Sequence, residues 1–559
     1  MKTKFFSSLF LILWICSCSD KDSCLKADLI IHSTQIYTLN DSMPEAESLA
    51  IKGGNIVYVG TNDGIKAYQC NDQRSLDLTG KFVFPGFIDS HAHLKSIGYR
   101  ESSLNLQGIN SLKETLAKVR EYSNQKDSGQ WVIGRGWIEK LWPEKRFPNK
   151  HDLDSFSKDK PILLERADGH AILVNSYALK LAGIDSDTLD PPGGAIRKEE
   201  NGEPTGILVD KASNLVERIL PSKTRKEHKA ALMSGIERSI KLGWTQIQNA
   251  GGPFSDVDLL EEINLEGNLL VRLYYSVSDG DAAIKLLEEG PKLDPDNKLI
   301  VRGIKLYADG ALGSRGALLL EGYSDFDSLG LQIFSKGETM PKLITALKKG
   351  IQIQTHAIGD KANRITLDWY EEAFKSVPDS ERFIKNPRWR IEHAQNIQPV
   401  DQNRFRELNI IASMQPSHAI GDLHFAVDRL GLDRINNAYV WRHLIDKGIT
   451  IIGGSDAPVE IGDPLIEFYA AVSRKDVNGF YDKGWNLDQA ISREEALKMF
   501  TIWPAFGAFQ EEIKGSIEVG KLADITVFSK DIMKVPSEEI LKAKNLMTIV
   551  GGEIVYEDL

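Results

Sequence analysis

The chain has 559 residues, 42% of them hydrophobic and 26% charged. That is globular composition, too long for one ordinary domain and ample for a large core, and it excludes a disordered chain. The 68 basic residues against 79 acidic ones leave a net charge of −11. With no long Lys/Arg run, this argues against a nucleic-acid or anionic-membrane surface and for a small-molecule substrate.

Lys2 and Lys4 precede an apolar run from Phe5 to Ile15. The run is too short to span a bilayer and fits a signal-peptide core. Ile15-Cys16-Ser17-Cys18 resembles a bacterial lipoprotein processing site, so residues 1–17 are expected to be a signal peptide. Cys18 is then the lipidated residue and 18–26 a linker. The charged stretch after Cys18 resembles surface-export signals of some lipoproteins. The expected product is an exported, lipid-anchored protein on the periplasmic side or the cell surface. Cys24 and Cys70 then remain, and pairing or two free thiols are both open readings.

In chain order, "ADLIIHSTQIYTLN" and "SLAIKGGNIVYVG" read as strands, with Gly53-Gly54-Asn55 as a hairpin turn. "RSLDLTGKFVFPG" continues the pattern. The C-terminus returns to it with "GSIEVGKLADITVFSKD" and "NLMTIVGGEIVYEDL". One β-sandwich built from residues 27–84 and 501–559 is the economical arrangement, with a second domain, 85–500, between them.

That middle alternates strands and helices. Strand-like runs end at "FIDSHAH", "WTQIQNAGG", "VRLYYSVSD", "VRGIKLYADG", "IQIQTHAIGD", "RWRIEHAQ", "IIASMQPSH" and "ITIIGGSDAP". Eight strand–helix units predict an α/β fold, a TIM-like (β/α)8 barrel with its chemistry at the strands' C-terminal ends. An insertion at about 100–240 follows the first strand and is expected to cap the active-site face.

The strand ends carry His91 and His93 on unit one, Lys305 on unit four, His356 on unit five, His393 on unit six and Asp456 on unit eight. In an extended strand His91 and His93 share a face and suit a divalent metal. Each residue alone has a bland reading, as an ion pair, a core histidine or an N-cap. Their order at successive strand ends favours a shared site, able to hold two divalent metals if Lys305 is carboxylated. An unmodified ammonium there would repel a cation.

With "PGFIDSHAHL", "DGHAILVNSYAL", "IKLYADGALGSRGA", "THAIGD", "RIEHAQ", "GSDAPV" and "GSIEVGKLADITVF" in hand, the chain resembles the amidohydrolase superfamily. The match is to its amidohydrolase-3 branch, which includes the YtcJ-like proteins and N-substituted formamide deformylase. It runs from about Ala27 to the end. The resemblance implies a metal-dependent hydrolase of non-peptide carbon–nitrogen bonds, of amide, N-acyl or N-formyl type, in which a metal-activated water attacks the carbonyl. Zinc is the expected ion, though His and carboxylate donors also suit manganese, iron or cobalt. His91, His93, Lys305, His356, His393 and Asp456 would be ligands, and Asp456 would also shuttle the proton. His170 in the insertion is a candidate to bind the substrate carbonyl or oxyanion, with a structural role held nearly equal. Arg315, Trp137 and His418 are candidate substrate contacts, Trp137 being at least as well read as core. His32, His151, His228, His424 and His443 read as structural or exposed. The alternatives are a mononuclear deaminase of the same superfamily, against which Lys305 argues, or a lipid-anchored binding protein without catalysis. Homodimer formation stays open.

Overall fold

Eight parallel strands form the central sheet: β1 (Phe87–Ala92), β2 (Trp244–Ala250), β3 (Arg272–Ser278), β4 (Leu299–Tyr307), β5 (Gln352–Ala357), β6 (Arg390–His393), β7 (Ile411–Met414) and β8 (Ile451–Gly453). We number the barrel strands alone. The computed structural model describes residues 24–70, 73–139, 142–144, 146–167, 171–191, 194–479 and 484–559. The signal and lipidation segment with Cys18, and His170, lie outside the described residues.

The strands are buried almost throughout rather than alternating, as parallel strands covered on both faces must be, and exposure rises only at a few positions such as Tyr307 at the end of β4. Their outward residues meet the surrounding helices in one large apolar core containing Ile247, Leu273, Ile304, Ile353 and Ile391. The barrel interior is polar and internally bonded. Gln246 donates to Gln510, Gln248 to the Pro504 carbonyl, Tyr274 to Gln352, and Arg390 to the Gly507 carbonyl. Residues 504–510 therefore plug the end away from the site.

The sheet closes without a strand ladder between β8 and β1. Individual bonds make the seam instead. Ser90 donates to the Gly453 carbonyl at 2.6 Å, Asp456 N to the His91 carbonyl at 2.7 Å, and His93 N to the Ala457 carbonyl at 2.8 Å. The Ser455 amide and hydroxyl both donate to Asp89, at 2.9 and 2.5 Å. Gly454 is required at this joint, because a Cβ there would lie 2.5 Å from the His91 nitrogen.

Both chain ends build the flanking sandwich. One sheet orders strands Asn55–Gly60, Ser48–Lys52, Leu29–His32 and Arg74–Asp77. The other mixes C-terminal strands Glu553–Glu557, Asn545–Val550 and Ile525–Phe528 with N-terminal strands Phe82–Pro85, Gln35–Tyr37 and Glu45–Ala46. Phe82–Pro85 then passes through Gly86 directly into β1, so the sandwich sets where the first histidines begin. A buried triad fastens this sandwich to the barrel. Arg272 at the start of β3 grips Asp524 at 2.8 and 3.1 Å, and Lys514 lies 3.3 Å from the same carboxylate. Arg272 and Lys514 hold Asp524 at about 2 against the upward push of burial. Cys24 and Cys70, left open by the sequence, pair as a disulfide with Cα atoms 5.9 Å apart.

The insertion folds on a sheet of its own. Its six-stranded sheet runs between Leu104–Asn105 and Pro204–Asp210, with two apolar cores of its own. Helix Arg225–Leu242 brings the chain back. A Thr224/Glu227 capping box starts it and the left-handed Gly243 ends it, one residue before β2.

Candidate active site

The strand ends bring the expected residues together at the barrel mouth. His91 is the last residue but one of β1, and its ring centroid lies 4.8 Å from that of His393 and 5.6 Å from that of His93. His356 follows at 4.5 Å from His393. Asp456 sits between them, its Oδ1 3.0 Å from His93 Nε2 and 3.5 Å from His91 Nε2. Ligand atoms of His91, His393 and Asp456 all lie within 4.8 Å of one another, and all three residues are buried. Lys305 Nζ approaches His91 Nε2 to 3.3 Å and is 1% exposed.

The backbone aims these groups in conformations that sequence periodicity does not reveal. His393, Ala394 and Asp456 have φ of 70°, 44° and 54°. L-residues rarely adopt the left-handed region, and such strain concentrates at functional sites. It turns the ends of β6 and the β8 loop inward, where a regular strand would carry on.

Carboxylates and amides outside the motif orient the rings. Glu392 is fully buried and lies 2.5 Å from His91 Nδ1. Burial pushes its carboxyl up, but His91, Arg390 and Lys305 outweigh this and hold it below the ordinary range. An ionised Glu392 accepts the Nδ1 proton and leaves Nε2 as the free donor atom. Gln415 Oε1 does the same for His393 Nδ1 at 2.8 Å. Asp309 accepts backbone N–H from Leu318, Ile358 and Gly359 and lies 3.5 Å from His356. Burial pushes its carboxyl up to about 7 against those donors. Asp89 is likewise pushed up to about 7 by burial, against donors from Ser455 and His91. Burial lowers Lys305, His91 (to about 4) and His356 (to about 3), so neutral imidazoles face the centre. Neutral imidazole and carboxylate donors at this spacing fit a divalent ion, and His418 Nε2 beside Asp456 is buried without a hydrogen bond.

Glu392, Gln415, Asp309, Asp89 and Tyr307 went unassigned in the sequence. Glu392 is the one a sharper reading finds, because it immediately precedes a proposed ligand on the same strand.

The candidate substrate residues separate. His418 stacks on His393 at 5.8 Å and its Nε2 lies 3.6 Å from Asp456 and 3.9 Å from Glu460. Arg315 is committed to Asp325 at 3.2 and 2.8 Å, on the loop after β4. Trp137 is 1% exposed in the cap core, with its indole N–H donated to the Leu164 carbonyl. Full burial and a satisfied N–H place it as packing, not as a pocket wall. The cap does reach the site: Arg135 donates to the Pro458 carbonyl at 3.2 Å, two residues past Asp456.

An inward constellation of histidines, a lysine and an aspartate on a (β/α)8 barrel defines a metal-dependent hydrolase. The family model described as "Amidohydrolase family" matches residues 74–556, and the chain belongs to that family. It is 34% identical to the YtcJ protein of Bacillus subtilis, over 94% of this chain and 99% of that one. It is 27% identical to an N-substituted formamide deformylase of Arthrobacter pascens, over 95% and 98%. Among solved structures, a metal-dependent hydrolase from Pyrococcus furiosus aligns with TM-score 0.72 and 28% identity. That alignment covers 90% of this chain and all of the other.

Proposed function

We propose that the protein hydrolyses a non-peptide carbon–nitrogen bond, of the N-acyl or N-formyl amine type. The observation that carries this reading is the buried donor cluster of His91, His393 and Asp456, with His93 on Asp456 and Lys305 on His91. Similarity over nearly full length to a formamide deformylase supports the substrate class.

His91, His93, His356, His393, Asp456 and, once carboxylated, Lys305 would hold one or two ions. When bound, a divalent ion such as zinc acidifies a water and polarises a carbonyl. Glu392 and Gln415 keep the ring nitrogens of His91 and His393 facing the centre. Asp456 takes the proton of the attacking water and passes it to the amine nitrogen. Water thus adds its oxygen to the acyl carbon, the carbon–nitrogen bond breaks, and a carboxylic acid and an amine leave. His418 lies on the same mouth and would contact substrate, as would His170 from the cap. Arg315 would act by shaping its loop through Asp325.

Export with a lipid on Cys18 is part of the same proposal. Lys2, Lys4 and "ICSC" support it, as does the Cys24–Cys70 pairing, which suits an oxidising compartment. Cys18→Ser should move the protein from the detergent phase to the aqueous phase, and unchanged partitioning refutes anchoring.

The compactness of the three-residue cluster also favours a second reading, a mononuclear deaminase. Elemental analysis with a panel of N-formyl and N-acyl amines separates the two. Near two ions per chain, with chelator-sensitive release of amine, is the expected result. One ion per chain, with ammonia released from an amino-heterocycle and no amide turned over, overturns the proposal.

A further inference from the structure

Tyr307 is the last residue of β4, two beyond Lys305, so the two side chains leave the strand on the same face. Lys305 is 1% exposed and Tyr307 is 40% exposed, which places the ring one step nearer the mouth. Two groups of the cluster flank it. Lys305 Nζ lies 4.9 Å from the ring centroid, and the ring of His356 lies 5.5 Å away. The strand register sets His356 directly beside Tyr307.

Its hydroxyl makes no hydrogen bond among the described residues. Neighbouring tyrosines of the barrel behave otherwise: Tyr275 donates to the Pro253 carbonyl, Tyr323 to Ala317 and Tyr370 to Arg390. Those phenols are spent on the fold. Tyr307 has its ring against Lys305 and His356 of the donor cluster and an uncommitted O–H. A donor beside the cluster with nothing to bind in the protein is suited to an oxygen that arrives with the substrate.

We propose that the Tyr307 phenol donates a hydrogen bond to the acyl oxygen of the substrate as that carbon becomes tetrahedral. The assignment rests on the hydrolytic reading above and adds a catalytic residue to it. Asp456 reaches the cluster from β8, across from β4, so proton transfer and oxygen stabilisation come from separate strands.

The test uses the full metal-loaded chain. Methylphosphonate, a tetrahedral oxyanion, is titrated calorimetrically into wild type and Tyr307→Phe, and metal content is measured on both. The variant is expected to keep its metal and bind methylphosphonate at least tenfold more weakly. On any N-acyl amine that wild type hydrolyses, kcat should fall at least tenfold with KM within threefold. Equal phosphonate affinity in the two proteins overturns the assignment, as does an absence of binding to wild type. Loss of metal from Tyr307→Phe also overturns it, because the ring would then be supporting the ligands. If wild type hydrolyses no N-acyl amine while the phosphonate still discriminates, the amide reading falls and the Tyr307 donor stands.

Discussion

Replacing Glu392 by Gln removes one negative charge from beside His91 and leaves the side chain's shape. The native contact is 2.5 Å long between two fully buried groups. A hydrogen bond with an ionised partner contributes about 1.5–3 kcal/mol and a neutral one about 0.5–1.5 kcal/mol. The charge alone is therefore worth roughly 1–1.5 kcal/mol in holding the ring, close to a factor of ten in binding. The amide adds a second penalty. It can turn its NH2 toward Nδ1 and favour the tautomer protonated at Nε2, the atom 3.3 Å from Lys305 and 3.5 Å from Asp456. That tautomer cannot ligate from Nε2. Together these predict metal affinity weakened by about 10- to 100-fold, the range typical of such supporting groups. Chelator competition with zinc measures it, with a thermal melt of the metal-free variant to show that the fold is intact. Affinity within twofold of wild type in a folded variant would show that Glu392 does not set the His91 orientation.

Asp456→Asn should retain metal by elemental analysis yet lose turnover by orders of magnitude, and surviving turnover would remove Asp456 from proton transfer. Lys305→Ala should lower the metal count per chain, and an unchanged count would leave Lys305 structural. Asp524→Asn strands Arg272 and Lys514 and should cost about 3–5 kcal/mol in urea unfolding at pH 7. The same carboxyl, held at about 2 instead of its ordinary 3.8, contributes about 2 kcal/mol above pH 4. Since the folded value is the lower one, that stability is lost as pH falls from about 4 through 2. The gap between wild type and variant should shrink over that window, and a constant gap would refute the linkage. Cys24→Ser opens a loop of 46 residues, worth about 4 kcal/mol by chain entropy. Alkylation of native protein should label neither Cys24 nor Cys70 before reduction, and labelling of both would refute the pairing.

The barrel was legible because eight apolar runs each end in polar or glycine residues, and the cluster at its mouth because His91, His93, Lys305, His356, His393 and Asp456 sit at or just past those ends. The orienting groups were not legible. Gln415 reaches His393 across a strand boundary, 22 residues on, and Asp309 reaches His356 from the loop after β4. Contacts between neighbouring strands leave no periodic trace. Trp137 shows the limit from the other side: an aromatic in a cap reads equally as wall or core, and only its burial and the bond to Leu164 decide. The left-handed φ at His393 and Asp456 has no sequence mark either, since neither residue is glycine.

The joint between β8 and β1 has a consequence for how this enzyme can change. Asp89, Ser90, His91, His93, Ser455 and Asp456 fasten the barrel, and three of them, His91, His93 and Asp456, also belong to the donor cluster at its mouth. A substitution there is judged twice, for rate and for survival of the fold. Positions in the insertion and in the loops after the strands that carry no such joint are freer to vary. Divergence of specificity around a fixed reaction is thus written into the way the sheet is closed.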